Sequence, residues 1–486
     1  MPRIKSNKVV SGLFWVYLEN ISAQLVSFVV TIILARLLEP SYYGVVALVS
    51  VFIAVATVFV NSGFGAALIQ KSDADELDYS SMFWFNLLVS VVLYAIIFSF
   101  APTIADYYGV PELTIIMRIL ALSVPLSAFN CIQQAYVSSR MVFKKSFLSN
   151  SGGALVSGII AVIMAYNGAG IWALVVQRIL HVFFNTFFLR LIVKWSPKWM
   201  FSWSRLKPLI SFGWKLLTTG LLFTLYAEIR TLIIGKRYST EDLGYYNQGY
   251  NFPKFIASNV DSTITRVLFP SLANIKEGEG ILADKTRRAA KTSAFIMTPV
   301  LLGLYMVSDT LVPLLIGEKW QPCVPYMKIL CLVWLLQPTQ TCSLQALKAI
   351  GRSDIYLYAE IFNKIVGLGL LAYAVFVVNS VMAIAVTMLV SQFISMLVYG
   401  LCSHKYVGYK LGIQFVDIIV PVLLSLPMCL FVYFLPMVIS NRLVCLIIQI
   451  VLGVVLFFGV SVLFKSESLY YITNILGIKN RFIRGK

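Results

Sequence analysis

Again and again this sequence returns to an apolar stretch of about 20 residues, the length that an α-helix needs to cross the hydrocarbon layer of a bilayer. Inside lipid every backbone N–H and C=O must be satisfied within the protein, and apolar runs of this length do so as helices. About fourteen such stretches can be counted along the chain. Apolar residues make up 59% of the 486 positions and charged residues 12%. That is about half the charged share of a soluble domain. Little of the surface can therefore face water, and the expected fold is an all-α membrane protein of about fourteen transmembrane helices.

The helices are not fourteen independent designs. Residues 32–44 read IILARLLEPSYYG and residues 232–244 read LIIGKRYSTEDLG, so that Ala35 falls on Gly235, Arg36 on Lys236 and Gly44 on Gly244. MRILAL from Met117 matches MKILCL from Met327, and Trp172-Ala173 matches Met382-Ala383 at the same offset. The repeat predicts two pseudo-symmetric six-helix lobes, residues 1–206 and 207–403, followed by two additional helices and a basic tail over 404–486. Matching segments separated by an even number of spans share one orientation, so the lobes are related by an axis along the membrane normal, as in many two-lobed transporters. The connection KWSPKWMFSWSRLKP carries Trp195, Trp199 and Trp203, an interfacial composition. The tail mixes Leu469, Ile472, Ile475, Leu476 and Phe482 with Lys479, Arg481 and Arg484, as a surface amphipathic helix would.

A net charge of +18 raises the question of nucleic acid. The positions of the basic residues exclude it. With the N-terminus inside, Lys and Arg concentrate in the inner loops, among them Arg3, Lys5 and Lys8; Arg140, Lys144 and Lys145; Lys194, Lys198, Arg205 and Lys207; and Lys285, Arg287, Arg288 and Lys291. This is the positive-inside bias of a multi-pass protein with both termini cytoplasmic. The acidic run Asp73, Asp75, Glu76 and Asp78 falls in an inner loop, where carboxylates weigh little in orientation. No cleavable leader is expected, because the first apolar stretch is too long for a signal core. The seven Cys form no CxxC pair, so neither a disulfide framework nor a metal site is indicated. No cofactor is expected, and no GxxxxGK[ST] loop offers a nucleotide site. Short connections leave little room for an extramembrane catalytic domain, so an enzyme is not expected.

Charge inside a bilayer is costly, so embedded polar residues face a cavity or a partner. On the eighth span Asn247, Asn251, Lys254, Ser258, Asp261 and Thr265 recur at helical steps of 4, 3, 4, 3 and 4, which places all six on one face. The first span repeats the device with Asn20, Gln24, Ser27 and Thr31, beside Glu19. The second adds Ser50, Thr57 and Asn61, and the seventh adds Lys215, Thr219, Tyr226, Glu228 and Arg230. Together these stripes predict a central cavity. Lys254 either lines it or pairs with Asp261 two turns away; Arg266 either faces it or anchors at the outer end; Arg230 either pairs with Glu228 or reaches the outer surface. Glu360 and Lys364 have the spacing of a self-neutralising pair. Arg178 and His181 are read as packed residues.

The strings ILARLLEPSYYGVVALVSVF, NSGFGAALIQK, LGYYNQGYNFPKF, RVLFPSLANI and LLIGEKWQPCVPYMKIL resemble the polysaccharide-export branch of the multidrug/oligosaccharidyl-lipid/polysaccharide flippase superfamily, in matching order over roughly residues 8 to 400. The resemblance implies a flippase of the bacterial cytoplasmic membrane. It would carry an undecaprenyl-diphosphate-linked oligosaccharide from the inner to the outer leaflet by alternating access. A cationic cavity would hold the diphosphate, with Lys254, Arg266 and Arg230 as the candidate cations. Asn20, Gln24, Asn61, Asn247 and Asn251 would meet the sugar hydroxyls, with Tyr245, Tyr246 and Tyr250 as flat faces. Glu19 and Asp261 are candidates for coupling to a proton or sodium. Membrane lipid surrounds such a protein, and a polysaccharide polymerase and glycosyltransferases are candidate partners. The lipid II branch carries several arginines on its first span, and none lies between Leu13 and Ala35 here, so lipid II is not the expected cargo. The alternatives are an ion-coupled drug or metabolite antiporter on the same fold, an integral-membrane glycosyltransferase or polymerase, and a non-transporting scaffold.

Overall fold

The structure is a computed structural model that describes residues 22, 24–61, 65, 67–68, 71, 74–140, 142–193, 195–273 and 279–475. Glu19, Asn20, Asp73 and the tail from Lys479 lie outside the described residues, as does the side chain of Arg266. All regular structure among the described residues is helical. By packing, the chain divides into two compact units, Met1–Gly244 and Tyr245–Lys486.

The first unit contains α1 (Gln24–Leu37), α2 (Pro40–Asn61), α3 (Glu76–Tyr108), α4 (Leu113–Ala121), α5 (Ser123–Arg140), α6 (Phe143–Tyr166), α7 (Ile171–Ile192), α8 (Trp203–Arg237) and the first turn of α9 (Thr240–Ala273). The second holds the rest of α9, then α10 (Glu279–Ile316), α11 (Val324–Leu335), α12 (Gln337–Ala349), α13 (Ser353–Tyr373), α14 (Val381–Val407), α15 (Leu411–Val438), α16 (Arg442–Leu463) and the short α17 (Glu467–Ile475). The repeat boundary at 206/207 belongs to the sequence. The boundary by packing comes later, because α8 packs on α2 and α3.

Eleven helices among the described residues are long and apolar enough to cross a membrane. Three of the expected fourteen stretches fall short of that standard, each for a visible reason. Only Gln24–Leu37 of the first is described; α9 is too polar; and the tenth breaks at Leu336 into α11 and α12.

Local chemistry sets the helix ends. At the start of α3 the Asp75 carboxylate accepts from the Asp78 N–H at 2.9 Å while the Asp78 carboxylate accepts from the Asp75 N–H at 3.1 Å, a closed capping box. Lys71 neutralises the fully buried Asp78 at 2.6 Å. The helix stops at Gly109, whose φ of 72° only glycine adopts without strain. The linker after α7 is anchored rather than loose: Trp84 donates to the Lys198 carbonyl at 2.9 Å and stacks on Trp199 at 4.2 Å. Trp195, expected at the interface, is instead buried with Tyr79, Phe83 and Tyr136, whereas Trp199 is 90% exposed.

The repeated glycines meet. A Cβ on Gly44 would overlap the Thr240 carbonyl, and a Cβ on Gly244 would overlap the Pro40 carbonyl. Since Pro40 and Thr240 are themselves repeat partners, the first turns of α2 and α9 cross reciprocally, backbone against backbone.

Candidate functional site

Within the first unit, six helices turn polar side chains toward a common cavity of about 690 Å³, Ser123 of α5 among them. Ser27 comes from α1; Ser50, Thr57 and Asn61 from α2; Ser157 from α6; Gln177, Arg178 and His181 from α7; Glu228 from α8. A second cavity of about 480 Å³ adjoins it, sharing Asn61 and His181 and adding Ser127, Asn130, Gln134 and Ser138 from α5 and Asn185 from α7. Both volumes are in the range of small-molecule sites. The positions follow from helical spacing. On α7 the residues Arg178, His181 and Asn185 recur at steps of 3 and 4, and on α5 the residues Ser127, Asn130, Gln134 and Ser138 recur at 3, 4 and 4. Gly153 lets α6 approach the backbone of α7 closely, because a Cβ there would stand 2.8 Å from the Asn185 nitrogen.

Arg178 is the dominant charge in this cleft. One guanidinium nitrogen donates to the Ser50 hydroxyl, which in turn donates to the Val46 carbonyl. Among the described residues Arg178 joins no ion pair, and its side chain is exposed to the cavity. Glu228, the acid on the α8 wall, accepts from Thr231 at 3.4 Å. The buried carbonyl oxygens of the Asn130 and Asn185 amides have no partner among the described residues. An unmet buried acceptor costs about 1–3 kcal/mol. Such acceptors, beside a guanidinium with spare donors, suit a ligand that brings both hydroxyls and anionic oxygens.

The second unit has its own polar network. The Thr341 hydroxyl donates to the Asp261 carboxylate, the Gln337 amide donates to Thr341 at 3.4 Å, and the Gln392 amide donates to Gln337 at 2.7 Å. Gln340 donates to the Gln392 carbonyl at 2.9 Å. Asp261 therefore pairs with a hydroxyl, and the alternative of an ion pair with Lys254 is not realised. Lys254 lies exposed, its ammonium 5.1 Å from the ring centre of Tyr250. Tyr250 stacks at 6.3 Å on Tyr246 and lies 5.9 Å from Trp334. Asn251, Ser258 and Thr265 are exposed, and the amide nitrogen of the half-buried Asn247 has no partner among the described residues.

Sequence reasoning placed Ser27, Ser50, Thr57, Asn61 and Glu228 on cavity-lining faces, and the structure brings them together. Gln24 is half-buried on α1. Two readings are corrected. Arg178 and His181 line the cleft instead of packing away, and the signal was present in their spacing with Asn185, the same rhythm that marks α9. Arg230 neither pairs with Glu228 nor reaches the surface: it is 8% exposed, 5.6 Å from the Tyr226 ring, and its Nε has no partner among the described residues. Glu360 and Lys364 do pair, at 3.8 Å, and Tyr399 donates to Glu360 at 2.6 Å.

Residues 33–325 match the model of a family described as polysaccharide biosynthesis protein. The chain is 26% identical over 434 residues to the teichuronic acid biosynthesis protein TuaB of Bacillus subtilis, covering 88% of this chain and 89% of that one. It is also 26% identical over 364 residues to the lipopolysaccharide biosynthesis protein WzxC of Escherichia coli, covering 73% of each. Among solved structures, the inward closed lipid II flippase MurJ superposes with a TM-score of 0.74 at 16% identity, over 95% of this chain and 100% of that one. An inward-facing multidrug resistance MATE transporter of the MOP superfamily gives 0.61 at 13% identity, over 79% and 94%. At these identities the two structures establish the fold alone.

Proposed function

Since the chain belongs to the polysaccharide biosynthesis protein family, within the fold of the MOP superfamily, we propose that it is a transporter that moves a polyprenyl-diphosphate-linked oligosaccharide from the inner to the outer leaflet. The observation that carries this reading is the cleft of the first unit. It combines a guanidinium that has no carboxylate partner among the described residues with a series of amides and hydroxyls. Sugar hydroxyls exchange hydrogen bonds with Asn61, Asn130, Gln134 and Asn185, while Arg178 offers the paired donors that a phosphate takes. The polyprenyl chain needs no protein site, because lipid solvates it. Lys254, Arg230 and Arg266 remain further candidates for the phosphate charge, and Asn20, Gln24, Asn247, Asn251 and Tyr250 for the glycan. Asp261, held by Thr341, is the candidate for coupling to a proton or sodium, with Glu19 as the second. The cycle breaks no covalent bond and needs no catalytic residue.

The test is a leaflet assay in proteoliposomes, which follows the appearance of a fluorescent undecaprenyl-diphosphate oligosaccharide at the opposite face. Protein-dependent movement is expected, with Arg178→Ala and the double variant Lys254→Ala/Arg266→Ala each slowing it about tenfold or more while inserting normally. Absence of movement under imposed ion gradients, together with efflux of a small organic cation, would move the protein to the antiporter reading. Lengthening of a labelled glycan by the purified protein alone would make it a polymerase.

A further inference from the structure

A third cavity, of about 410 Å³, lies in the second unit and shares no lining residue with the polar network of Asp261. Its walls are the first turns of α10, with Asp284, Arg287, Arg288 and Lys291, and the short helix α17, with Glu467, Ser468, Tyr471 and Asn474. The basic residues do different work. Arg287 is committed to structure: its Nε donates at 3.1 Å to Asp417, which is 1% exposed and also accepts from Tyr409 at 2.9 Å. Lys291 holds Glu467, whose side chain is 83% exposed. The Lys291 ammonium keeps the Glu467 carboxyl below the usual carboxylate range, so this partner is ionised. An ion pair with one member so exposed is worth little and exchanges readily. Arg288 touches the Tyr471 ring at 5.2 Å and has no carboxylate partner among the described residues.

The cavity wall also carries a hydroxyl. Ser468 is 4% exposed and lines the space, and its hydroxyl has no hydrogen-bond partner among the described residues. It stands in the first turn of α17, where backbone N–H groups lack intrahelical acceptors and the helix dipole favours an anion. Arg288, the Lys291 ammonium in its solvent-exposed ion pair, a hydroxyl and a helix start therefore converge on a space large enough for a phosphate. This end of α10 lies in the Lys- and Arg-rich stretch that the charge bias assigns to the cytoplasmic interface, and there the common phosphates belong to anionic phospholipids.

We propose that this cavity binds the headgroup phosphate of an anionic phospholipid, with Arg288, Lys291 and the Ser468 hydroxyl as its ligands, and that the lipid displaces Glu467 from Lys291. The site is separate from the cleft that carries the translocation reading and does not depend on it. It makes α17 a lipid-held strap on α10.

The experiment uses the full chain in phosphatidylcholine nanodiscs containing a phosphatidylglycerol with a photoreactive headgroup. After irradiation, crosslinks are expected in the peptides around Arg288 and Ser468, falling about tenfold in Arg288→Ala/Lys291→Ala. They are expected to rise in Glu467→Gln, which frees Lys291. This second variant guards against the first merely loosening the fold. Crosslinks spread evenly over all spans, or unchanged in both variants, would leave an annular lipid only and overturn the proposal. Suppression by inorganic phosphate at the lipid's own concentration would assign the site to a soluble anion and overturn it equally.

Discussion

Asp417 shows how much one buried carboxylate can hold together. It sits on α15 with 1% exposure, accepts from Arg287 of α10 and from Tyr409, and lies where α10 and α15 pack against each other. Arg287, whose side chain is 40% exposed, can turn to water without Asp417, but the Tyr409 hydroxyl, in a residue only 2% exposed, would lose its acceptor, at about 1–3 kcal/mol for an unmet buried group. Asp417→Ala is expected to lower the Tm of the detergent-solubilised protein by several degrees, and an unchanged melt would show that the Tyr409 hydroxyl finds another acceptor. Arg178 illustrates the opposite case. This guanidinium bonds a serine hydroxyl, lines the cleft and faces no carboxylate within ion-pair distance among the described residues. Its place on the cleft wall was legible in the spacing of Arg178, His181 and Asn185. A lone arginine on an apolar span nonetheless reads equally well as packed until its neighbours are known.

At the scale of the element, the crossing of α2 and α9 rests on two glycines that occupy the same place in the repeat. Each accepts the other helix's carbonyl where a Cβ would stand, so Gly44→Val or Gly244→Val must separate two backbones. Overpacking of a side-chain core costs about 1–3 kcal/mol, and a backbone neighbour yields less readily. Either variant is expected to reduce accumulation in membranes or Tm, whereas Gly303→Ala on α10, with nothing within 4 Å of its Cβ, should behave as the parent. A parent-like Gly44→Val would mean that this crossing is not required. The helices themselves were largely legible from apolar length. The stretches that fell short of a span are instructive: α9 carries the polar stripe that lowers its hydropathy, and α11 and α12 divide where a single run was expected. Trp195 was misplaced because composition cannot tell an interfacial tryptophan from one buried among Tyr79, Phe83 and Tyr136.

For the whole molecule the sharpest question is energetic. If Asp261 couples ion movement to transport, Asp261→Asn keeps the hydrogen bond to Thr341 and removes the titrating charge. Transport by that variant is expected to lose its response to an imposed proton or sodium gradient in proteoliposomes while substrate still binds; an intact response would remove Asp261 from the coupling role. What the sequence determined alone was the class of protein: apolar length demands membrane helices, the internal echo demands a duplicated bundle, and the sidedness of Lys and Arg argues against nucleic acid. Those are one-dimensional properties, since solvation by lipid acts on each segment by itself. Only the tertiary structure decided which polar faces meet. It joined Ser27, Asn61, Asn130, Arg178 and Glu228 from five helices into adjoining cavities, matched Thr341 rather than Lys254 to Asp261, and closed α17 onto α10. Helical period tells which side a residue takes on its own helix, whereas what stands opposite depends on how neighbouring helices rotate and pack, and that is set by close contacts such as those at Gly44, Gly153 and Gly244.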